Sequence, residues 1–255
     1  MGFRLSLAGC LAAVLSLTAA PPLAAQSINS GDGFFFGAPA GSFSVKGGLA
    51  HALARSDVFS DLSSRLTLDE NAFTGGTIGA ELALRLASRT DLIVGASYTS
   101  RTLGSEYRDF IERGNDQPVA QSTRLARVPV TAGVKQYLLP RGRSIGRYAW
   151  IPARYAPYVG AGGGVMYYYF GHEGDFIDFQ SENLRIVTDR LESSGWTPTV
   201  QGLAGIDVSL SPRWALTTEA RYVWAAARLD AADFEGFDPI DLSGLAATVG
   251  FSVRF

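Results

Sequence analysis

The chain carries one cysteine, Cys10, two histidines, two methionines and no surplus of base over acid. Each scarcity closes off a class of function. A lone cysteine forms no disulfide within the chain and no thiolate metal cluster. His51 and His172 are too few to build an imidazole metal set. A formal net charge of −2 lacks the basic footprint that nucleic acid or a polybasic membrane contact requires. Past residue 25 no apolar run reaches the ~20 residues of a spanning helix. Glycine, in contrast, is plentiful at 29 of 255 residues, above the usual share of about 7%. That suits a sharply curved wall of short strands.

The N-terminus reads as an export signal. Arg4 supplies one positive charge, an apolar stretch runs over 5–20, and Pro21 and Pro22 precede Leu23, Ala24 and Ala25. This predicts a secretory signal peptide over residues 1–25, cut after Ala25. The competing reading, an anchor helix, is disfavoured because the stretch is short and prolines end it. Residues 7–10 match a lipoprotein cleavage box, but the apolar core lies after Cys10, whereas such a box needs it before. Removing 1–25 takes away the only cysteine, one base and no acid, so the formal charge moves from −2 to −3. Residues 26–255 then form one domain, with no linker or repeat in view.

Period two governs that domain. In the last eleven residues Leu245, Ala247, Val249, Phe251, Val253 and Phe255 fall on one side of an extended strand. Ala246, Thr248, Gly250, Ser252 and Arg254 fall on the other. A wholly apolar strand face in water invites aggregation, whereas a strand in lipid needs one. Seven more segments alternate in the same way: 41–53, 77–86, one from residue 92 to about 101, 125–138, 155–170, 196–210 and 215–227. Residues 81–87 and 215–229 contain good helix formers, and Glu81 and Arg85 would pair at i, i+4 in a helix. The unbroken alternation of Ile78, Ala80, Leu82, Leu84 and Leu86 favours a strand. Pro157 and Pro198 sit near strand starts, and Pro129 predicts a bulge because proline cannot donate to a ladder.

The connections alternate in length. Residues 88–91 and 211–214 make short turns, while 54–76, 103–124, 171–195 and 228–241 are long. An even-stranded barrel with short inner turns and long outer loops requires this alternation. Residues 140–154 depart from it; the segment is rich in arginine (Arg141, Arg143, Arg147, Arg154) and could pack under the barrel floor.

The stretch Arg127–Leu138, followed by Ala156–Gly164, resembles the central hairpin of small outer-membrane β-barrels of the OmpA-type and OmpW-like families. The C-terminal strand is similar to their assembly signal, carried here by Val249, Phe251, Val253 and Phe255. The resemblance implies an all-β, eight-stranded, antiparallel, up-and-down transmembrane β-barrel. It also implies residence in the outer membrane of a Gram-negative-type bacterium, among outer-membrane lipids and lipopolysaccharide. The barrel-insertion machinery would be a partner during biogenesis. A specific activity does not carry over.

The predicted inward face is charged: Lys46, Glu81, Arg85, Arg101, Arg127, Lys135, Asp207, Glu219, Arg221 and Arg254. An eight-stranded barrel is just wide enough for side chains to fill, so a plug of ion pairs is favoured over a polar track for solutes. Aromatic residues fall at two predicted membrane borders, Tyr167, Tyr169, Trp196 and Trp224 at one end and Tyr137, Trp214 and Phe255 at the other. They read as interfacial girdles rather than a sugar-stacking platform. The loops are acidic, with Asp230, Asp233, Glu235, Asp238 and Asp241 in one and Glu173, Asp175, Asp178 and Glu182 in another. Ca²⁺ or Mg²⁺ bridging lipopolysaccharide phosphates is conceivable there, but solvated charge is the favoured reading.

Neither histidine stands at a spacing from Ser and an acid that suggests a nucleophile, and Gly160–Gly164 lies in a strand and opens no phosphate-binding helix. No cofactor or metal is expected. The sequence therefore predicts a non-enzymatic integral outer-membrane barrel serving envelope integrity or surface interaction. A narrow channel for small or hydrophobic solutes is the second reading, and a lipid-modifying enzyme the third.

Overall fold

The computed structural model describes residues 35–67, 72–111, 118–146, 149–178 and 185–255; the leader expected over 1–25 lies outside them. Eight long strands form one antiparallel sheet: β1 (Gly41–Ala52), β2 (Thr74–Arg85), β3 (Thr90–Ile111), β4 (Pro118–Tyr137), β7 (Tyr155–Asp178), β8 (Arg185–Ser209), β9 (Trp214–Ala227) and β11 (Gly244–Arg254). Each pairs with the next, and the ring closes where β1 pairs with β11 from Ser42↔Arg254 to Ala52↔Gly244. The chain is an eight-stranded up-and-down β-barrel. Closure leaves the ring no open edge, the condition for crossing lipid with strands.

Alternation decides which face is which. Phe43, Val45, Leu49, Ile78, Val94, Val134, Val200, Val249 and Phe251 point outward and are exposed, while Lys46, Glu81, Lys135, Gln201 and Glu219 point inward and are buried. Greasy outside and ionic inside is the inverse of a water-soluble barrel, and it fits a lipid solvent. Trp196, Trp224 and Trp214 are likewise exposed on the outer face. Tyr167 stacks on Trp196 at 5.4 Å and Tyr222 on Trp224 at 4.3 Å, marking the border at the loop end.

The segment 81–85 is strand throughout, in unbroken register with β1 and β3. The bulge expected at Pro129 is absent. β4 keeps one register with β7 across Pro129↔Met166, and with β3 on either side at Ala96↔Val130 and Thr99↔Arg127. The ladder simply omits the pairs between them, which spares the missing proline N–H. Pro157 and Pro198 lie just beyond the last pairs of the β4–β7 and β8–β9 ladders.

Two parts of the chain depart from the expected loops. First, β3, β4, β7 and β8 are 20 to 25 residues long, against 11 to 14 for the other four. Residues read as loops continue the ladder, β7 and β8 pairing as far as Asp178↔Arg185. At ~3.3 Å per residue, the roughly ten residues of β8 beyond Trp196 reach about 30 Å past the aromatic border. Second, the 54–76 connection contains a helix, α1 (Asp57–Arg65). Asp57 in its first turn and Arg65 in its last oppose the helix dipole, and Arg65 pairs with Asp61 at 2.9 Å. The arginine-rich 140–154 segment folds as a hairpin of β5 (Gly142–Ile145) and β6 (Ala149–Pro152), and β10 (Ile240–Asp241) adds a two-residue pairing to β9.

Candidate functional site: a filled lumen and its two lids

Glu81 on β2 and Glu219 on β9 face each other across the lumen, and Lys46 on β1 bridges them, Nζ lying 3.0 Å from Glu81 Oε2 and 2.9 Å from Glu219 Oε2. Arg221 bridges them again, Nη2 reaching Glu81 Oε2 at 2.9 Å and Glu219 Oε1 at 2.7 Å. Lys135 completes the cluster at 2.5 Å from Glu81 Oε1 and lies 4.4 Å over the Tyr158 ring. The Tyr158 hydroxyl donates to Glu219 Oε2 at 3.0 Å. Arg221 Nη1 donates to Gln201 Oε1, and Gln201 Nε2 donates to Thr131 Oγ1. Asp207 accepts from the Tyr137 hydroxyl at 2.9 Å and from Thr217 Oγ1 at 2.7 Å. Desolvation makes isolated charges costly, and here each carboxylate holds two or more donors.

The wall leaves room for these long side chains in a specific way. Lys46 pairs across the ladder with Gly79 and Gly250, Glu81 with Gly95, Lys135 with Gly160 and Glu219 with Gly205. A Cβ at Gly205 would come 2.5 Å from the Tyr158 hydroxyl and 2.4 Å from the Thr218 carbonyl, so only glycine fits. In a narrow barrel, large and small residues must alternate around the interior.

Six of the ten predicted lumen charges thus gather near the barrel's middle: Lys46, Glu81, Lys135, Glu219 and Arg221 as ion partners, and Asp207 below them. The other four stand elsewhere. Arg127 is buried nearer the loop end and donates to the carbonyls of Leu242 (2.8 Å) and Ser243 (3.3 Å), where an acid was expected. Arg101 is exposed, beyond the last β2–β3 pair at Thr99 and beside Gly75 toward the loop end. Arg85 and Arg254 share the inward face but lie at the turn end. Arg85 Nε donates to the Ala87 carbonyl, and Arg254 Nη2 to Ser209 Oγ.

Tyr137 is a further correction. It lies inside the barrel rather than in a girdle, because it is two residues on from inward-facing Lys135. The sequence reading also missed Tyr158 and Gln201, although their place on the inward face follows from the same parity.

Both ends of the lumen are covered. At the loop end Phe59 of α1 packs edge-on against Phe73 at 5.0 Å and Phe170 at 5.6 Å, and Phe170 meets Phe234 at 5.5 Å. Met166, Val223, Ile240 and Leu242 join them in one buried apolar cluster. The Asp238 N–H donates to Asp57 Oδ2 and the Asp241 N–H to Ser56 Oγ, fastening the last loop to the start of α1. At the turn end the β5–β6 hairpin lies under the floor. Arg141 pairs with Asp91 at 2.7 Å and stacks on Tyr137, while Arg254 lies over the Trp150 ring.

The acidic loop residues act mainly as local acceptors. Asp233 Oδ2 accepts from the Glu192 N–H, Asp230 Oδ1 from the Ala232 N–H and Asp241 Oδ1 from the Ser243 N–H. Glu182 lies outside the described residues. Among the described residues no three His, Cys, Asp or Glu side chains converge on a metal-sized site. Each histidine meets a threonine across a ladder pair, His51 Nδ1 with Thr74 Oγ1 at 2.9 Å and His172 Nδ1 with Thr123 Oγ1 at 2.8 Å. His172 lies on the extension of β7 past the aromatic border, and burial lowers its pKa to about 4.

A closed eight-stranded ring, an apolar outer belt bordered by aromatics and an ion-filled interior define a small β-barrel of the transmembrane kind. Solved structures of similar architecture include OprG, an outer membrane protein of Pseudomonas aeruginosa (16% identity, 87% of this chain and 99% of that one, TM-score 0.45). They also include Ail, the attachment invasion locus protein of Yersinia pestis (14%, 84% and 99%, 0.44), and the neisserial surface protein A (13%, 88% and 100%, 0.41). No protein-family profile and no curated protein sequence matches the chain.

Proposed function

We propose that the protein is a closed, non-enzymatic outer-membrane barrel whose working part is the sheet that it raises above the membrane, serving surface interaction and envelope integrity. The observation that carries this reading is the filling of the lumen. An ionic cluster occupies its middle and an apolar cluster its outer end, so among the described residues the interior offers no continuous polar path. The outer extensions of β3, β4, β7 and β8 are neighbours in the ring and make one four-stranded sheet. Its β3 edge is guarded by the first loop: the Thr67 N–H donates to the Glu106 carbonyl and Arg108 Nε to the Leu66 carbonyl. Its β8 edge meets Asp233 through the Glu192 N–H. Guarded edges leave the broad faces as the surface offered to partners, lipopolysaccharide among them.

Planar-bilayer recording of the purified protein tests the reading. Silent membranes at protein densities where a porin conducts are expected. Reproducible unitary currents would replace this proposal with the narrow channel.

A further inference from the structure

Under the floor of the lumen, between the approach to β1, the β2–β3 turn and the β5–β6 hairpin, lies a cavity of about 280 Å³. Arg85, Arg89, Arg141 and Arg254 all line it, against a single carboxylate, Asp207. Both Asp207 oxygens are engaged by Tyr137 and Thr217, and Arg141 is neutralised by Asp91. Among the described residues Arg85, Arg89 and Arg254 form no ion pair.

Neutral groups hold two of these cations in place. Arg254 is fixed by Ser209 Oγ and the Trp150 ring, and Arg85 by the Ala87 carbonyl. Like charges gathered in one recess repel unless something of opposite sign lies between them. Three guanidinium groups without ion-pair partners favour an anion here, and one with several oxygens can engage more than one of them. Guanidinium forks also suit the tetrahedral face of a phosphate, to which each can give two parallel N–H donors. Ser42, Ser88 and Ser144 also line the cavity.

We propose that this cavity binds a phosphate group at the periplasmic mouth of the barrel. It goes beyond the surface role above and depends on neither loop nor outer sheet. The phosphate could come free in the periplasm, as inorganic phosphate or a small phosphate ester, or on an inner-leaflet phospholipid headgroup. The volume of about 280 Å³ holds a phosphate with a glycerol-sized substituent.

Titration calorimetry on the protein in uncharged detergent, with inorganic phosphate, glycerol 3-phosphate and short-chain phosphatidylglycerol as separate probes, tests this. At least one probe should saturate, and the Arg85→Gln/Arg89→Gln double variant should weaken it tenfold or more. Raised salt should weaken it too, because the site is charged and open to water. Saturation by the first two probes assigns a free phosphate; saturation by phosphatidylglycerol alone assigns the headgroup. A heat-shift gel verifies that the variant barrel is folded. Should the double variant not fold, Arg89→Gln alone, on an exposed turn, serves in its place with a threefold or greater loss expected. Failure of all three probes to bind, unaltered binding by the folded variant, or acetate binding as tightly as phosphate overturns the proposal.

Discussion

Around Glu81 the lumen is filled by ions; further out, from the level of Pro129 toward the loops, it is filled by Met166, Phe170 and the ring of Phe59. The two fillings pack the lumen by different physics. In the ionic half every partner needs the others, since losing one strands a desolvated charge. In the apolar half the attraction is undirected, and a lost ring leaves a void whose cost depends on how far the neighbours close in. The ionic half is built by the wall alone. The apolar half is shared between the wall and two loops, so it is the part that can open without dismantling the ring.

Removing a member of each half sharpens that contrast. Glu81→Ala leaves Lys46, Lys135 and Arg221 short of an anion, and a loss of about 3–5 kcal/mol is expected. The urea midpoint in micelles measures it, and a change under 1 kcal/mol would mean that water already reaches the cluster. Phe59→Ala is expected to cost about 3–4 kcal/mol. This loss should be confined to the outer lid: hydrogen exchange should quicken in α1 and in 234–242 while β1, β2 and β9 stay protected. Uniform quickening would break the distinction between the halves.

Gly205→Ala drives a methyl against Tyr158 and is expected to cost roughly 1–3 kcal/mol, felt in the ionic half alone. For His172, burial lowers the pKa from 6.5 to about 4, so the opened segment takes up its proton first. Stability from this group is whole above pH 6.5 and is lost as pH falls through 4. An imidazole NMR titration with a midpoint near 6.5 would refute the buried placement. Least of all, Arg65→Ala breaks an exposed helix pair and should change lid exchange by only about 0.3–0.5 kcal/mol.

Much of the barrel was legible from period two. Lipid on one face and a packed lumen on the other impose alternation wherever a strand crosses the membrane, so all eight crossings and most of their inward faces could be read. The extensions of β3, β4, β7 and β8 could not be, because both faces there lie outside lipid and residues such as Thr102, Glu106, Thr188 and Arg190 need no alternation. Helix α1 was hidden for another reason. Its serine-rich stretch has weak helix propensity, and Val58 and Phe59 hold it by packing on the wall.

In the candidate site, charge alone was a poor guide to pairing. Glu81, Glu219 and their three cations share one level of the ring. Arg127 lies higher, at the level of the final loop, and finds carbonyls there. Level along the barrel axis depends on the stagger between strands, which alternation does not encode.

The glycines facing Lys46, Glu81, Lys135 and Glu219 limit what this lineage can become. Trimming one long side chain toward a pore orphans its counter-ion, and adding bulk at the residue opposite collides with the backbone of the next strand. Either change weakens the fold. Novelty is therefore cheaper to acquire above the bilayer, where neither constraint applies.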